Sequence, residues 1–240
     1  MIETNYNKYW EINMQTDSML RAFTAIYEGL PYILSGIWIT LTVVIGAMVL
    51  GFIVGVPMAI GHVYGNRLTK KIIDVYVWFF RGIPLLVLLL LVYFGFLAAL
   101  DINISPFVIS IFILGLISSA YQSQIIKGAI RSISKGQLIA AQAIGMSNRK
   151  AITNIILPQA LRLSLPGWSN EYTIILKESA VTYALGVAEI MTRAHHVASR
   201  TYQHLAIFIL AGFIFLALTW MGTGLIRRLE SYFHIPGYTQ

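Results

Sequence analysis

Four long stretches of this 240-residue chain contain no aspartate, glutamate, lysine or arginine. They are residues 29–66, 82–100, 102–126 and 201–226. A helix needs about 20 predominantly apolar residues to cross a hydrocarbon layer about 30 Å thick, and each stretch is close to that length or longer. Only 11% of all residues are charged, whereas roughly a quarter are charged in soluble domains. The sequence therefore predicts an all-α protein that crosses a membrane several times.

We predict five membrane-spanning helices from the apolar pattern. Their ranges are about 32–60, 73–99, 106–130, 171–190 and 204–226. The first apolar stretch is too long for one perpendicular helix, so we expect it to tilt or to bend before Pro57. The fourth range is the least apolar, because Glu171, Lys177 and Glu178 interrupt it.

Apart from Arg81 and Lys177, the lysines and arginines are distributed unevenly between the two sides of the membrane. Alternate connections carry eleven on one side and four on the other. The eleven are Arg67, Lys70, Lys71, Lys127, Arg131, Lys135, Arg149, Lys150, Arg162, Arg227 and Arg228; the four are Lys8, Arg21, Arg193 and Arg200. Basic residues collect on the cytoplasmic side, so we expect the N-terminus outside and the C-terminus in the cytoplasm. The same bias explains the net charge of +7 without a nucleic-acid partner.

By composition the chain divides into three parts. We expect an external segment at residues 1–31, a transmembrane domain at 32–230 and a cytoplasmic tail at 231–240. Apolar residues of the first part recur at helical spacing, which favours a short amphipathic helix on the membrane surface or against the protein. These residues are Met19, Leu20, Phe23, Ile26, Tyr27 and Leu30.

A polar interruption, KGQLIAAQAIGMSNRKAITNIILP, separates the third and fourth predicted spans at residues 135–158. Its first part is rich in helix-forming residues, and Gly145 suits the position just past a helix C-terminus. Ser147 can cap a second helix, and Pro158 predicts a kink or an end. We therefore expect a cytoplasmic helical hairpin within a loop of about residues 132–165. From this pattern alone, a cap without any partner explains the loop equally well.

Five segments, in order along the chain, resemble the permeases of ABC importers for polar amino acids. The segment AAQAIGMSNRKAITNIILP at 140–158 is similar to the EAA loop of such permeases. The others are FFRGIPLLV at 79–87, AYQSQIIKGAI at 120–130, LKESAVTYALGVAEI at 176–190 and ASRTY at 198–202. Ile139 and Gln124 stand where this family usually has acidic residues, and Ile83 stands where a small polar residue is common. The first departure puts in doubt a salt bridge from the loop to its partner.

This resemblance implies the fold of a type I ABC importer permease, which is a transport subunit and not an enzyme. Such a permease lies in the bacterial inner membrane, pairs with a second copy or a paralogue, and receives a polar amino acid from an extracytoplasmic binding protein. ATP and Mg²⁺ would bind to a partner ATPase, so we expect no cofactor on this chain, which also lacks a GxxxxGK[ST] motif. The implied ATPase-coupling residues are Gln137, Ala140, Ala141, Gly145, Ser147, Asn148, Arg149 and Pro158.

Polar side chains within the predicted spans indicate where a solute could pass. A charge within a span costs about 2.5–3.5 kcal/mol on insertion scales, so it ordinarily faces a cavity or a partner. The candidates for the translocation path are Tyr121, Gln122, Gln124, Lys177, Glu178 and Ser179. Lys177 and Glu178 could meet the two charged groups of an amino acid, or they could pair with other spans. We expect Arg81 and Pro84 to anchor the structure or to gate the inner mouth.

Two further groups of residues have simpler explanations. Gly51 and Gly55 form a GxxxG pair in the first span, which predicts close helix packing. Three histidines match no strong metal-binding signature, and we expect them at the outer surface. They are His195, His196 and His204.

Two other functions remain open at this point. A secondary transporter driven by an ion gradient would have the same apolar composition. An intramembrane hydrolase would need a nucleophile and a base on facing helices, and the sequence contains neither GxSxG nor HExxH, nor any cysteine.

Overall fold

The computed structural model of this protein describes residues 19–233, and helices make up nearly all of this range. Residues 1–18 and 234–240 lie outside it, and with them most of the predicted external segment and of the predicted tail. The helices are α1 (19–34), α2 (Gly36–Tyr64), α3 (Arg67–Gly82), α4 (Leu85–Leu90), α5 (Pro106–Ser132), α6 (Lys135–Ala143), α7 (Asn148–Ala151), α8 (Leu157–Leu163), α9 (Leu165–Ser179), α10 (Ile190–Thr201) and α11 (His204–Tyr232). A π-helical turn at Leu91–Leu97 extends α4, another at Ile152–Ile156 joins α7 to α8, and a 3₁₀ turn at Ala180–Leu185 follows α9.

Three of the described helices, α2, α5 and α11, are long and apolar enough to cross a membrane. They confirm the first, third and fifth predicted spans. The helix α2 includes Pro57 and continues beyond it to Tyr64, so the proline does not end the span.

The second predicted span is bent and does not form one continuous helix. α3 and the extended α4 meet at an angle of 100°, and together they can form a fourth crossing. Proline disfavours helical backbone at the residue before it, and Ile83, which precedes Pro84, is extended with φ −97° and ψ 132°. The predicted span at 73–99 is therefore interrupted at Ile83 and Pro84, and it can count as a crossing only as a bent pair of helices.

The fourth predicted span, at 171–190, differs most from expectation. α9 ends at Ser179, and the 3₁₀ turn that follows ends at Gly186, whose φ is +80°. Among residues 19–233, this segment is not one of the helices with the length and apolarity of a span. The structure thus supports three crossings, or four with the bent pair.

Close packing between α2 and α5 forms the centre of the molecule. A Cβ atom added at Gly51 would lie 2.7 Å from Ser118 Oγ, and one added at Gly55 would lie 3.1 Å from the backbone oxygen of Ser119. A side chain at Gly51 would collide with α5 and one at Gly55 would make an unusually tight contact with it, so the GxxxG pair lets the two helices approach. The prediction of close packing at these glycines is confirmed.

Helix α1 is present where the apolar spacing predicted it, and it packs against α10. A Cβ atom at Gly29 would lie 2.7 Å from a methyl group of Val197. Met19, Phe23 and Tyr27 are more than two-thirds exposed, so much of the predicted apolar stripe faces away from the other helices.

The polar interruption folds into the predicted helical hairpin. Gly145 has φ +83°, and the turn after α6 is closed by two hydrogen bonds, from Gly145 N to Gln142 O and from Met146 N to Ala141 O. This pair of bonds is the Schellman arrangement that favours glycine. Ser147 accepts a hydrogen bond from Lys150 N and caps α7. Both local predictions are confirmed.

Pro158 neither ends the second arm of the hairpin nor interrupts it. The π-helical turn at Ile152–Ile156 precedes it, and Pro158 lies in the first turn of α8. A widened turn accommodates a residue that has no backbone N–H and that would clash with a regular preceding turn. The helix therefore continues through the proline with altered winding.

Candidate functional site

A cavity of about 290 Å³ opens beside the bend between α3 and α4. Its lining consists of Phe80, Arg81, Gly82, Ile83, Pro84 and Leu85 at the bend, Ile117 and Tyr121 on α5, and Glu178 on α9. Three regions that are distant in sequence thus bring a guanidinium, a phenol and a carboxylate to one space. We call it the bend cavity. Its volume lies near the lower end of the roughly 300–1,000 Å³ typical of small-molecule pockets.

Arg81 lies over the aromatic ring of Tyr121. Its guanidinium carbon is 4.6 Å from the ring centroid, within the range of a cation–π contact. The side chain is exposed and forms no ion pair within residues 19–233. The guanidinium is therefore held in place by an aromatic face while its N–H groups remain available to an acceptor.

Glu178 contributes a carboxylate to the same cavity. Its Oε2 atom is buried and has no hydrogen-bond partner within the described part of the chain. A buried acceptor without a donor costs roughly 1–3 kcal/mol, and more when it is charged.

The other two polar residues near Glu178 do not line the bend cavity. Lys177 is exposed, and adjacent residues on a helix point about 100° apart. Ser179 is buried, and its hydroxyl donates to Leu176 O at 2.8 Å. Of the pair Lys177 and Glu178, only Glu178 lines the bend cavity.

Gln122 belongs to a separate polar group, enclosed between α2, α5 and α9. Its Nε2 atom donates to Met48 O at 2.9 Å and to Ser118 Oγ at 3.0 Å. Ser118 Oγ in turn donates to Oε1 of Glu171 at 2.8 Å. We call Ser118, Gln122 and Glu171 the sealed cluster, because each is at most 1% exposed.

Gln124 lies on another face of α5, toward the hairpin end of the bundle. Its side chain accepts a hydrogen bond from Lys127 Nζ at 3.1 Å and donates to Ser123 Oγ at 3.3 Å. Neither Gln122 nor Gln124 lines the bend cavity. Of the predicted path and gate residues, the structure brings together Arg81, Pro84, Tyr121 and Glu178.

Glu171 is the polar residue whose partners the sequence did not reveal. In the sequence it stands out only as an interruption of an apolar range. Glu171 precedes Glu178 by seven positions, and residues seven apart return to nearly the same face of a helix. That spacing was the available signal that both carboxylates face the interior.

The hairpin presents a distinct surface on its first arm and turn. Most of the predicted coupling residues are exposed: Ala140, Gly145, Ser147, Asn148, Arg149 and Pro158. Two isoleucines of the same surface, Ile139 and Ile144, are 64% and 78% exposed. Ala141, in contrast, is only 2% exposed, so it packs within the chain and presents no surface to a partner.

Hydrogen bonds brace the two arms of the hairpin. Gln137 and Gln159 exchange reciprocal side-chain bonds of 3.0 and 2.6 Å. Across the turn, Gln142 Nε2 donates to Asn148 Oδ1 at 2.7 Å. The second arm is anchored by Ile156, which is only 3% exposed. Side-chain hydrogen bonds thus connect the two arms, and Ile156 holds the second arm against the rest of the chain.

Comparisons with known proteins agree with this arrangement. Residues 47–233 match the sequence model of the family described as "Binding-protein-dependent transport system inner membrane component". The chain is 36% identical over 213 residues to the arginine transport system permease protein ArtQ of Bacillus subtilis (strain 168), covering 87% of this chain and 97% of that protein. It is 32% identical over 213 residues to the histidine/lysine/arginine/ornithine transport system permease protein HisQ of Escherichia coli (strain K12), covering 85% and 93%.

Solved structures show the same fold. A crystal structure of an amino acid ABC transporter with histidines contains a chain that superposes with a TM-score of 0.79 at 31% identity, covering 88% of this chain and 98% of that one. The MetNI methionine ABC transporter, in an inward-facing conformation, has a TM-score of 0.64 at 17% identity, covering 83% and 96%. The second likeness concerns the fold alone.

Proposed function

The chain belongs to the family of binding-protein-dependent transport system inner membrane components, and from that premise we propose how its parts serve transport. It is a permease subunit of an ABC importer and not an enzyme, since ATP is hydrolysed on a separate subunit in such systems. The interpretations as a secondary transporter or an intramembrane hydrolase are therefore not retained. We propose the membrane topology of this chain, its substrate and its partners from the following observations.

Five crossings are supported by the relative directions of the long helices. Gly46 on α2 lies beside Ile111 on α5, since a Cβ atom there would be 3.0 Å away. At the other end, Val63 of α2 and Ile130 of α5 line one groove. α2 and α5 thus run parallel, which requires the chain to cross the membrane between them. The bent pair α3 and α4 provides that crossing.

The same reasoning applies between α5 and α11. The start of α11 lies near α10, where Phe208 stacks with His195 at 6.5 Å. α10 in turn begins beside the start of α2, since Ile190 N donates a hydrogen bond to Thr40 Oγ1. The end of α11 lies near the hairpin, where the Arg162 guanidinium is 5.8 Å from the ring of Phe233. α11 therefore also runs parallel to α5, and α9 with its 3₁₀ turn makes the remaining crossing.

We assign the start of α2 to the outside and the hairpin to the cytoplasm, because basic residues collect on the cytoplasmic side. The chain contains no cysteine, so single cysteines report topology directly. His196 and Asn148 are both exposed, and an impermeant maleimide added to intact spheroplasts should label His196→Cys but not Asn148→Cys. After lysis both should react. Labelling of Asn148→Cys before lysis would overturn the orientation, and with it the assignment of residues 132–165 as a cytoplasmic loop.

The transported solute is a polar amino acid. The single observation that carries this is that the cationic Arg81 and the carboxylate of Glu178 line the same cavity without forming an ion pair with each other. Arg81 would receive the α-carboxylate and Glu178 the α-ammonium of a zwitterion. Relatives named for arginine and for histidine, lysine, arginine and ornithine transport support the same class.

The hairpin docks on a cytosolic ATPase. Ile139 and Ile144 give its exposed surface an apolar character. Because hydrogen bonds join the two arms, the hairpin would transmit a movement of the ATPase without the arms separating. The remaining partners we propose are a second permease, identical or paralogous, and an extracytoplasmic binding protein. ATP and Mg²⁺ stay on the ATPase, and the complex lies in the bacterial inner membrane.

Co-purification tests the docking surface. Ile144→Glu would bury an unpaired charge in the interface, so the ATPase should be lost from the purified complex. The matched control is Ile102→Glu, an exposed isoleucine in the connection before α5, which should retain the ATPase. Retention of the ATPase by both variants would show that it docks elsewhere.

Uptake into proteoliposomes tests the solute. The vesicles would contain the permease, its ATPase and its binding protein, and receive radiolabelled arginine, histidine, glutamine or glutamate. We expect ATP-dependent uptake of at least one of these amino acids. Uptake of none, with ATPase activity intact, would contradict the proposed substrate class.

A further inference from the structure

A second cavity, of about 360 Å³, lies where the ends of α2 and α5 meet α6. Its floor is formed by three isoleucines, Ile130, Ile133 and Ile156, each at most 5% exposed. The partly buried Leu138 forms a wall on α6. We call this space the basal groove. The groove is mostly apolar inside, yet it opens beside the polar residues Arg131, Ser134 and Lys135.

Two cations stand at the edge of the basal groove. Arg131, at the end of α5, and Lys135, at the start of α6, both line it, and both are exposed. No carboxylate is among the lining residues, and neither cation forms an ion pair within residues 19–233. The groove therefore combines an apolar interior with two basic groups that have no counterion in the described chain.

The basal groove lies where two of the candidate membrane-spanning helices end. Its upper boundary is the end of α2 and of α5, whose apolar stretches are long enough to cross a bilayer. Tyr64, which is 38% exposed, stands at the same level, and tyrosine is enriched at membrane interfaces. With the orientation proposed above, the groove opens beside the cytoplasmic leaflet, where anionic lipid headgroups attract basic side chains.

We propose that the basal groove binds an anionic phospholipid of this leaflet. An acyl chain would lie along the isoleucine floor, and the phosphate would lie between Arg131 and Lys135. A soluble phosphate compound would satisfy the two cations but would not fill the apolar interior of the groove. A zwitterionic lipid would cover the floor, but its own cation would compete for its phosphate.

The position of the groove gives this lipid a consequence for the hairpin. Lys135 and Leu138 belong to α6, whereas Ile130 and Arg131 belong to α5. A bound lipid would therefore contact both the membrane-spanning part and the hairpin, and hold them together. This proposal does not depend on which solute is carried, and it can be tested without measuring transport.

Photo-crosslinking in nanodiscs tests it. The complex of permease and ATPase would be placed in phosphatidylcholine containing phosphatidylglycerol with a diazirine on its acyl chain. We expect labelled peptides within residues 126–139, and roughly thirtyfold weaker labelling there for Arg131→Gln/Lys135→Gln, because each basic group near a surface contributes about fivefold to binding. The matched control is Arg227→Gln/Arg228→Gln, an exposed basic pair at the end of α11, which should keep the labelling.

A second variant separates the apolar contribution from the charges. Leu138→Trp would fill the groove while leaving both cations in place, and it should weaken labelling as well. Unchanged labelling in this variant would show that the acyl chain does not enter the groove. Size-exclusion profiles matching the unsubstituted complex would show that the variants fold.

Three results would overturn the proposal. Equal labelling by a diazirine phosphatidylcholine would show that the groove does not select an anionic headgroup. Displacement of the label by millimolar inorganic phosphate would show that the ligand is a soluble anion. Labelling that occurs in the permease alone but disappears in the complex would show that the groove is a contact surface for the ATPase.

Discussion

The sealed cluster and the bend cavity use the same kinds of residue on the same two helices, yet they differ in whether their polar atoms have partners. Ser118 and Tyr121 lie one turn apart on α5, and Glu171 and Glu178 lie two turns apart on α9. In the sealed cluster the carboxylate accepts a hydrogen bond from a serine. In the bend cavity a carboxylate oxygen has no donor.

The neighbouring backbone causes this difference. At the sealed cluster, Gly51 lets α2 approach so closely that a Cβ atom there would collide with Gln122 and Ser118. At the bend cavity, Pro84 interrupts the helix and turns the chain by 100°, which leaves open space. We therefore expect substitutions in the first region to change stability and substitutions in the second to change transport.

The largest loss of stability is expected when an added side chain pushes α2 away from the sealed cluster. Gly51→Val would place side-chain atoms within 3 Å of Ser118 and Gln122, and overpacking that forces side chains and backbone to shift costs about 1–3 kcal/mol, occasionally more. The thermal unfolding midpoint of the purified protein should fall sharply. Gly212→Val is the matched control, because a Cβ atom at Gly212 meets nothing within 4 Å. Equal midpoints for the two variants would show that α2 can move away from α5 without cost.

The next largest effect is expected from a substitution in the bend cavity. Glu178→Gln removes the negative charge but keeps the shape of the side chain, and a hydrogen bond to a charged group contributes about 2 kcal/mol. We expect the concentration of amino acid that half-saturates uptake to rise roughly thirtyfold, with the unfolding midpoint unchanged. Lys177→Gln, a change at the exposed neighbour outside the cavity, should leave uptake unchanged. A fall in stability without a change in uptake would make Glu178 part of the packing and not of the path.

A smaller effect is expected inside the sealed cluster. Ser118→Ala removes the hydroxyl that donates to Glu171 and accepts from Gln122. Leaving buried polar groups without a partner costs about 1–3 kcal/mol, so the unfolding midpoint should fall by less than in Gly51→Val. Half-saturation of uptake should be unchanged. A shift in half-saturation with an unchanged midpoint would contradict the distinction between the two regions.

The features that the sequence predicted well depend on residues close together in the chain. Gly145 and Ser147 mark the turn of the hairpin because a left-handed residue and a helix cap have specific side-chain requirements. The long uncharged stretches predicted α2, α5 and α11 for a similar reason, since the length of a span is a local property.

The features that the sequence did not reveal depend on contacts between distant residues. Gln122 was a candidate for the solute path, but the register of α2 against α5 places it beside Met48 O. The hydrogen bond of Glu171 with Ser118 likewise depends on how α9 packs against α5. The bend at Pro84 had a local signal, but it lay in an apolar run where continuity of the helix was the simpler interpretation.

The smallest expected effect concerns the aromatic face beneath Arg81. Tyr121→Phe keeps the ring but removes the hydroxyl, for which no hydrogen bond exists within residues 19–233. Half-saturation of uptake should therefore stay within about twofold of the original value. Tyr121→Leu removes the ring, and an exposed cation–π contact contributes about 0.5–1 kcal/mol, so half-saturation should rise about two- to fivefold.

The comparison of these two variants decides what the ring does. If Tyr121 only fills space, the Tyr121→Leu and Tyr121→Phe variants should both keep the half-saturation of uptake near its original value, because both side chains are apolar and buried at similar cost. If the ring positions Arg81 for a carboxylate, only leucine should weaken uptake, and the loss should be smaller for an amino-acid amide that lacks the carboxylate. Equal weakening by both variants would instead assign the effect to the hydroxyl, and would place Tyr121 in direct contact with the solute.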